Sequence, residues 1–343
     1  MKKLLAFALS LAMVLGMASC APESGSGTPA PGPSGGSNGS GVPSDPAGYQ
    51  PPDTLNLIVP YAAGGAMDLG ARLVAKHAVK YTDTNIVITN VAGASGTIGP
   101  AEMLKYDADG TYMCAMNPSP TYVPTPDKPL TYDYLEDFVR VAIIMEDQRT
   151  IAVPKNNGKY ETLEEFIAYA KDHPGEITIG CSGTMNDAYL TPYLLGKEAG
   201  VEFSVVAYDG AADAKSDLLG GHIAAISVSY SEVLPMMDQD QVIILCTAGT
   251  EPFERLPGVP TLEEKGYNVH FSTCRGYTMK AGTNPQAVAY WSDIMGKLCE
   301  DEEFLAEAGG LGFPIKFMDS AESEERAQSL ISSYETIFAE IYA

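Results

Sequence analysis

Short β-branched runs alternate with amphipathic helical patterns along most of this chain, and the first such unit shows what the alternation means. Leu57-Ile58-Val59-Pro60 ends a strand, Tyr61-Ala62-Ala63-Gly64-Gly65-Ala66-Met67 is a glycine-rich loop, and Asp68 opens an amphipathic helix. A loop of this kind at a helix N-terminus presents backbone N–H groups that favour anions. The same reading predicts strands at 55–60, 85–90, 112–116, 139–145, 150–153, 177–180, 202–207, 223–228 and 242–247. It predicts helices at 68–80, 96–106, 162–172, 187–199, 213–220, 284–299, 301–308 and 321–341. The helix at 162–172 has Thr162 and Glu165 at capping-box spacing, and His173-Pro174-Gly175 stops it. Strands alternating with helices give an α/β protein with largely parallel sheets, whose ligands bind at the carboxyl ends of strands.

The N-terminus sets the compartment. Lys2 and Lys3, an apolar run over 4–17 and Ala18-Ser19-Cys20 read as a signal peptide over 1–19. Cys20 resembles the lipidated cysteine of a bacterial lipobox, which implies a lipid-anchored, extracytoplasmic protein. The apolar run is short for a membrane span. Residues 20–52, rich in Gly, Ser and Pro, read as a disordered tether reaching about 30 Å. The 291 residues beyond it suit two lobes. The net charge is −23, and more negative still once Lys2 and Lys3 leave with the leader, so nucleic acid is excluded as a partner. An anion bound against that field needs local donors.

Catalytic and metal chemistry find little support. Cys114, Cys181, Cys246, Cys274 and Cys299 form no Cys-x-x-Cys pair, and free buried thiols are the expectation. His77, His173, His222 and His270 are scattered singly, so no metal site is expected. Gly93-Ala94-Ser95-Gly96-Thr97-Ile98-Gly99 resembles a dinucleotide fingerprint, but it follows the second strand and lacks the acidic residue about 20 positions on. No cofactor is expected. Ser95 lacks nucleophile-elbow spacing, and Cys181 at a strand end has no identifiable base. An exported hydrolase using Cys181 or Ser95 is the competing enzyme reading. The loop from Cys181 to Asp187 repeats the architecture of the first loop, with Ser182, Thr184 and Asn186 as polar donors. Two such loops make a clamshell receptor, although Ser, Thr, Asn and Asp are equally common as plain helix caps.

Eight segments in order carry a family resemblance. They are 59–68, 93–99, Asp109-Gly110-Thr111-Tyr112, Tyr132-Asp133 through Asp137-Phe138, 170–175, Ala207-Tyr208-Asp209-Gly210, 217–221, and Leu256-Pro257-Gly258-Val259-Pro260-Thr261 with Glu264 and Gly266-Tyr267. From Leu55 to about Pro314 the chain resembles the substrate-binding proteins of tripartite tricarboxylate transporters, the Bug or TctC family. The resemblance implies a type II periplasmic-binding-protein fold: two α/β lobes joined by a two-strand hinge, with a ligand cleft between them. It places one lobe at 53–147 plus 249–343 and the other at 148–248. It implies a small carboxylate ligand held largely by backbone N–H groups and water, and transporter membrane subunits as partners. A receptor feeding a sensor kinase is the nearer alternative.

Carried onto this chain, the ligand-binding candidates are Tyr61, Ala62, Ala63, Gly64, Gly65, Ala66 and Asp68 in the first loop. In the second lobe they are Ser182, Gly183, Thr184, Met185, Asn186, Tyr189, Tyr208 and Asp209. Three positions depart from the family pattern. Met185 stands where a glycine is usual, Tyr189 where a histidine is usual, and Asp209 where lysine or another polar residue is usual. A less charged or more apolar ligand than citrate is the expectation from Met185 and Tyr189.

Overall fold

The computed structural model describes residues 49–343. The signal peptide, Cys20 and the tether up to residue 48 lie outside the described residues. In chain order the first elements are β1 (Thr54–Val59), α1 (Ala66–Ala78), β2 (Asn85–Asn90), α2 (Ile98–Met103), β3 (Tyr112–Ala115) and β4 (Phe138–Pro154). Next come α3 (Leu163–Asp172), β5 (Thr178–Ser182), α4 (Asp187–Ala199), β6 (Ser204–Tyr208), α5 (Ala211–Leu219), β7 (Ala225–Ser229) and α6 (Tyr230–Asp238). The chain ends with β8 (Val242–Thr247), β9 (Ser272–Lys280), α7 (Pro285–Glu300), α8 (Glu302–Gly310), β10 (Ile315–Met318) and α9 (Ser320–Ile341).

The strands make two sheets that share β4. In the first, β1 lies between β2 and β3 in parallel, and β9 joins β3 to β4 antiparallel, with β10 also on β4. In the second, β5 lies parallel between β6 and β7, while β7 and β8 run antiparallel to the end of β4. Every parallel pair is joined through a helix, as its crossover demands. The first lobe buries Leu55, Leu57 and Val59 of β1 against Val74 of α1 and Trp291 of α7. In the second, Ile226 and Val228 of β7 pack with Ala214 and Leu218 of α5. This is the two-lobe α/β architecture expected from the sequence.

Two expectations are corrected. Residues 139–153 were expected to form two strands split by polar Glu146-Asp147-Gln148, but β4 is a single strand of 17 residues. The polar triplet stays in the ladder, pairing with Cys274, Thr273 and Ser272 of β9. Asp147 is fully buried there because Arg275 and Ser231 supply its partners. Beyond Gln148 the strand leaves β9 and pairs with β7 from Arg149 onward. The helix expected at 96–106 is shortened to α2, because a 3-10 turn over Ala94–Gly96 precedes it, with left-handed Ala94 and Ser95.

Candidate functional site

The first loop hangs between β1 and α1, and Asp68 sets its shape. Gly64 has a φ of +82°, a conformation that glycine adopts without strain. Gly65 is the N-cap of α1 and supplies no side-chain cap. The carboxylate of Asp68, 1% exposed, folds back from the first helical turn. Its Oδ2 accepts from the Gly64 N–H at 2.8 Å and Arg72 Nε at 2.9 Å. Its Oδ1 accepts from Asn90 Nδ2 at 2.9 Å, and Asn90 also donates to the Tyr61 carbonyl at 3.0 Å. Burial opposes ionisation of Asp68, but the bonds from Arg72, Gly64 and Asn90 outweigh it and hold the carboxyl below its usual range. Asp68 therefore braces the loop, and the backbone of Ala62, Ala63, Gly64 and Gly65 is left exposed. Asn90 had no signal in the sequence beyond ending a strand.

The second loop joins β5 to α4. Gly183 has a φ of +77°, and its N–H donates to the Tyr208 carbonyl at 2.8 Å. Met185 is also left-handed at +53°, where its side chain adds strain that a glycine would lack. Asn186 caps α4: its Oδ1 accepts from the Tyr189 N–H at 3.0 Å, and its Nδ2 donates to the Ser182 carbonyl at 2.6 Å. Tyr189 lies half-buried and stacks on Tyr193, with ring centroids 6.1 Å apart. Tyr208 turns its hydroxyl away to Asp217 at 2.8 Å, and Asp209 is exposed.

The loop after β2 bridges these two loops. Ser95, in the loop after β2, comes so close to the second loop that a β-carbon on Gly183 would lie 3.2 Å from its hydroxyl oxygen. Gly96 packs its backbone on the Tyr61 ring, which a β-carbon would meet at 2.7 Å. The Tyr61 hydroxyl is pushed up to about 12, first by burial and then by the Asp187 carboxylate.

Charged side chains fill the space behind. Asp187 Oδ2 accepts from Arg149 Nε at 2.7 Å and from the Thr273 hydroxyl at 2.5 Å. Arg275 reaches Asp147 Oδ2 at 3.3 Å, and the Ser231 hydroxyl donates to the same oxygen at 2.5 Å. Glu232 accepts from the Ser229 N–H at 3.0 Å and Ser229 Oγ at 2.8 Å. Burial works against the charge of Glu232, but Arg149 and the Ser229 N–H more than offset it and keep its carboxyl below the usual range. Asp147 and Asp187 entered the sequence reading only as local features, and these pairings did not, since nothing in the sequence joins residues so far apart.

The helix ends differ from expectation in one respect. Each already holds a buried carboxylate in its first turn, Asp68 in α1 and Asp187 in α4. An anion at either terminus meets a dipole partly answered from within. Burial pushes the Cys181 thiol up to about 12, and its Sγ points at the Gly183 and Val206 carbonyls, an environment that favours the thiol over the thiolate. Among the described residues the five cysteines are all free, and four of them are buried. His77, Asp301 and Glu303 cluster elsewhere, but Lys80 bonds both carboxylates at 2.8 Å and takes the position of a cation. Among the described residues no helix is long and apolar enough to cross a membrane.

The family model for tripartite tricarboxylate transporter family receptors, TctC, matches residues 70–337, from within α1 to within α9. This chain belongs to that family. The receptor is 27% identical over 291 residues to the UPF0065 protein in the gbd 5′ region of Cupriavidus necator, covering 85% of this chain and 88% of the relative. A TctC solute-binding protein from Polaromonas superposes with a TM-score of 0.69 at 27% identity, over 84% of this chain and 98% of that one. MatC from Rhodopseudomonas palustris, solved with bound malate, shares the fold at a TM-score of 0.73 and 22% identity, over 83% of this chain and 98% of its own. The receptor is thus a solute-binding protein of a family that works outside the cytoplasm.

Proposed function

We propose that this receptor captures a small carboxylate between its lobes and delivers it to the membrane subunits of a tripartite tricarboxylate-type transporter. The ligand is held by backbone N–H groups of residues 61–66 and 182–186 other than those of Gly64, Gly65 and Gly183, which are taken by Asp68, Ala62 and Tyr208, with the side chains of Ser182, Thr184 and Asn186 nearby and Asp68 fixing the first loop. The lobes, 53–147 plus 249–343 and 148–248, close on it about the strands that join them. Cys20 carries a lipid that tethers the receptor to the membrane surface, and the segment behind it gives the folded part reach.

The observation that carries this reading is the approach of Ser95 to Gly183, which brings loops from two different sheets to a common point. Family membership supports transport as the purpose, and the malate held by MatC supports a carboxylate as cargo. Calorimetry against a panel of mono- and dicarboxylates, with a chelator present, tests it. One-to-one binding of an acid is expected. Binding of neutral sugars alone, or binding that requires metal, overturns it.

A further inference from the structure

We infer that Thr273 is a positioning residue for closure: its hydroxyl, held out from the first lobe to Asp187 at the head of α4, keeps the second loop against the first lobe and slows the release of cargo. The inference rests on the two-lobe closure proposed above and adds to it a bond that the cargo never touches.

The place of this bond follows from where β4 changes partners. Up to Gln148 the strand is laddered on β9, with Asp147 opposite Thr273 and Gln148 opposite Ser272. From Arg149 onward it is laddered on β7. Thr273 therefore stands one rung short of the end of the first sheet, and Arg149 is the first rung of the second. Asp187 Oδ2 accepts from one donor on each side of that change, Arg149 Nε at 2.7 Å and Thr273 Oγ1 at 2.5 Å. Asp187 itself belongs to the second lobe. It opens α4 directly after the loop 182–186, and Leu190 and Leu195 of that helix are buried in one cluster with Ile179 of β5.

Rotation of the lobes acts on the two bonds unequally. α4 and Arg149 travel with the second sheet, so their ion pair survives. Thr273 stays with β9, so its bond to Asp187 spans the moving boundary. A hydrogen bond is lost once its heavy atoms pass about 3.5 Å, so about 1 Å of separation is enough to break this one. In the structure the bond is intact while Ser95 of the first lobe lies beside Gly183 of the second. It belongs to the arrangement in which the lobes meet.

The chemistry suits a bond that is made and broken. Thr273 is 8% exposed and Asp187 5%, and a hydroxyl donated to a carboxylate is of the stronger, charge-assisted kind. When it breaks, Asp187 keeps Arg149 and no charge is stranded. A second bond crosses the same boundary, from the Ser231 hydroxyl in the first turn of α6 to Asp147. Thr273 is the member of the pair that reaches the helix carrying the second loop.

The test uses the whole receptor. Small-angle scattering, without ligand and then with malate, adipate or benzoate, reads the spread of the lobes. Stopped-flow displacement reads the release of whichever acid contracts the wild type. Thr273→Val, which keeps the shape and removes the hydroxyl, is expected to enlarge the ligand-free radius of gyration. It should also speed release about tenfold, with association unaltered. Thr273→Ala accompanies it so that the fit of the valine does not decide the outcome, and Thr273→Ser, which restores the donor, should match the wild type. Thr150→Val is the control. The Thr150 hydroxyl is also buried but donates to the Val228 carbonyl at 2.9 Å within the second lobe, so its loss should lower the melting temperature and change neither radius nor release. Wild-type radius and release in both Thr273→Val and Thr273→Ala overturn the inference and leave closure intact. Changes of the same size in Thr150→Val also overturn it, since they assign the effect to lost packing. A wild type whose radius no acid alters overturns the closure reading itself.

Discussion

Ser95 and Gly183 meet across the cleft so closely that a β-carbon on Gly183 would lie 3.2 Å from the Ser95 hydroxyl and 2.9 Å from Asn186 Nδ2. The φ of +77° at Gly183 adds a conformational cost for any other residue, about 1 kcal/mol. Gly183→Ala is expected to lower the melting temperature and to weaken ligand binding, because the new methyl group holds the loops apart. Gly200→Ala is the control: its φ is +64° and nothing lies within 4 Å of the added carbon. It should cost comparable stability and leave calorimetric affinity unaltered.

Asp68→Asn separates bracing from charge. At neutral pH the change should cost about 1–3 kcal/mol in denaturant melts, since it loses charge-assisted bonds from Gly64 and Arg72. The native carboxyl is held below its unfolded value, so its stabilisation is complete above about pH 4 and disappears as pH falls through the lower native value. Melting temperatures of the wild type should therefore fall more steeply than those of the variant as pH drops below 4. Parallel curves would show that Asp68 is not the group responsible.

Arg275 and Asp147 form a buried pair whose loss is expected to be unequal. Asp147→Asn removes the negative charge facing the Arg275 guanidinium, 5% exposed, and leaves it neutral partners such as Ser229, Ser231 and the Phe313 ring. A penalty of about 3–5 kcal/mol is expected, while Asp147→Asn with Arg275→Met should cost less than the sum of the single changes. A double-mutant cycle by denaturant unfolding measures the difference. Additive single effects would mean that the pair is not coupled.

Met185 and Tyr189 are the two departures expected to tune the cargo. Citrate and an aromatic monocarboxylate should be compared on the wild type and on Met185→Gly with Tyr189→His. The wild type should favour the monocarboxylate, and the double change should move the preference toward citrate. The single change Met185→Gly relieves a left-handed methionine and also removes its packing against the core, so its melting temperature should shift little. If the preference is unaltered, these residues do not face the ligand.

Local signals were legible and distant partnerships were not. Thr162 and Glu165 announced α3, and the capping box is formed, with the Thr162 hydroxyl accepting at 3.2 Å. The strand–loop–helix units before α1 and α4 were equally readable, since each is written in a dozen consecutive residues. β4 was misread because Glu146 and Asp147 look like loop residues until Arg326, Lys316 and Arg275 arrive from more than a hundred positions away. β9 escaped for the same reason: its Ser272, Thr273 and Arg275 are polar yet lie in the ladder with β4. α6 escaped although Ser229 and Glu232 stand at capping-box spacing, since it carries Pro235 and follows β7 without a loop. Arg149 shows no pattern of its own, and only the fold sets it beside Asp187.

The continuous β4 governs how the two lobes can move. A joint made of loop swings freely, but here the forward crossing is one 17-residue strand laddered on both sides, and the return crossing is stapled where the Phe271 N–H meets the Ala248 carbonyl at 2.7 Å. Such a joint behaves as a leaf spring: displacement is spread along the strand as bending and twist, with no slack to take up. Opening then stores a restoring force in proportion to its extent, so the jaws return by elasticity and the cargo works against a graded load.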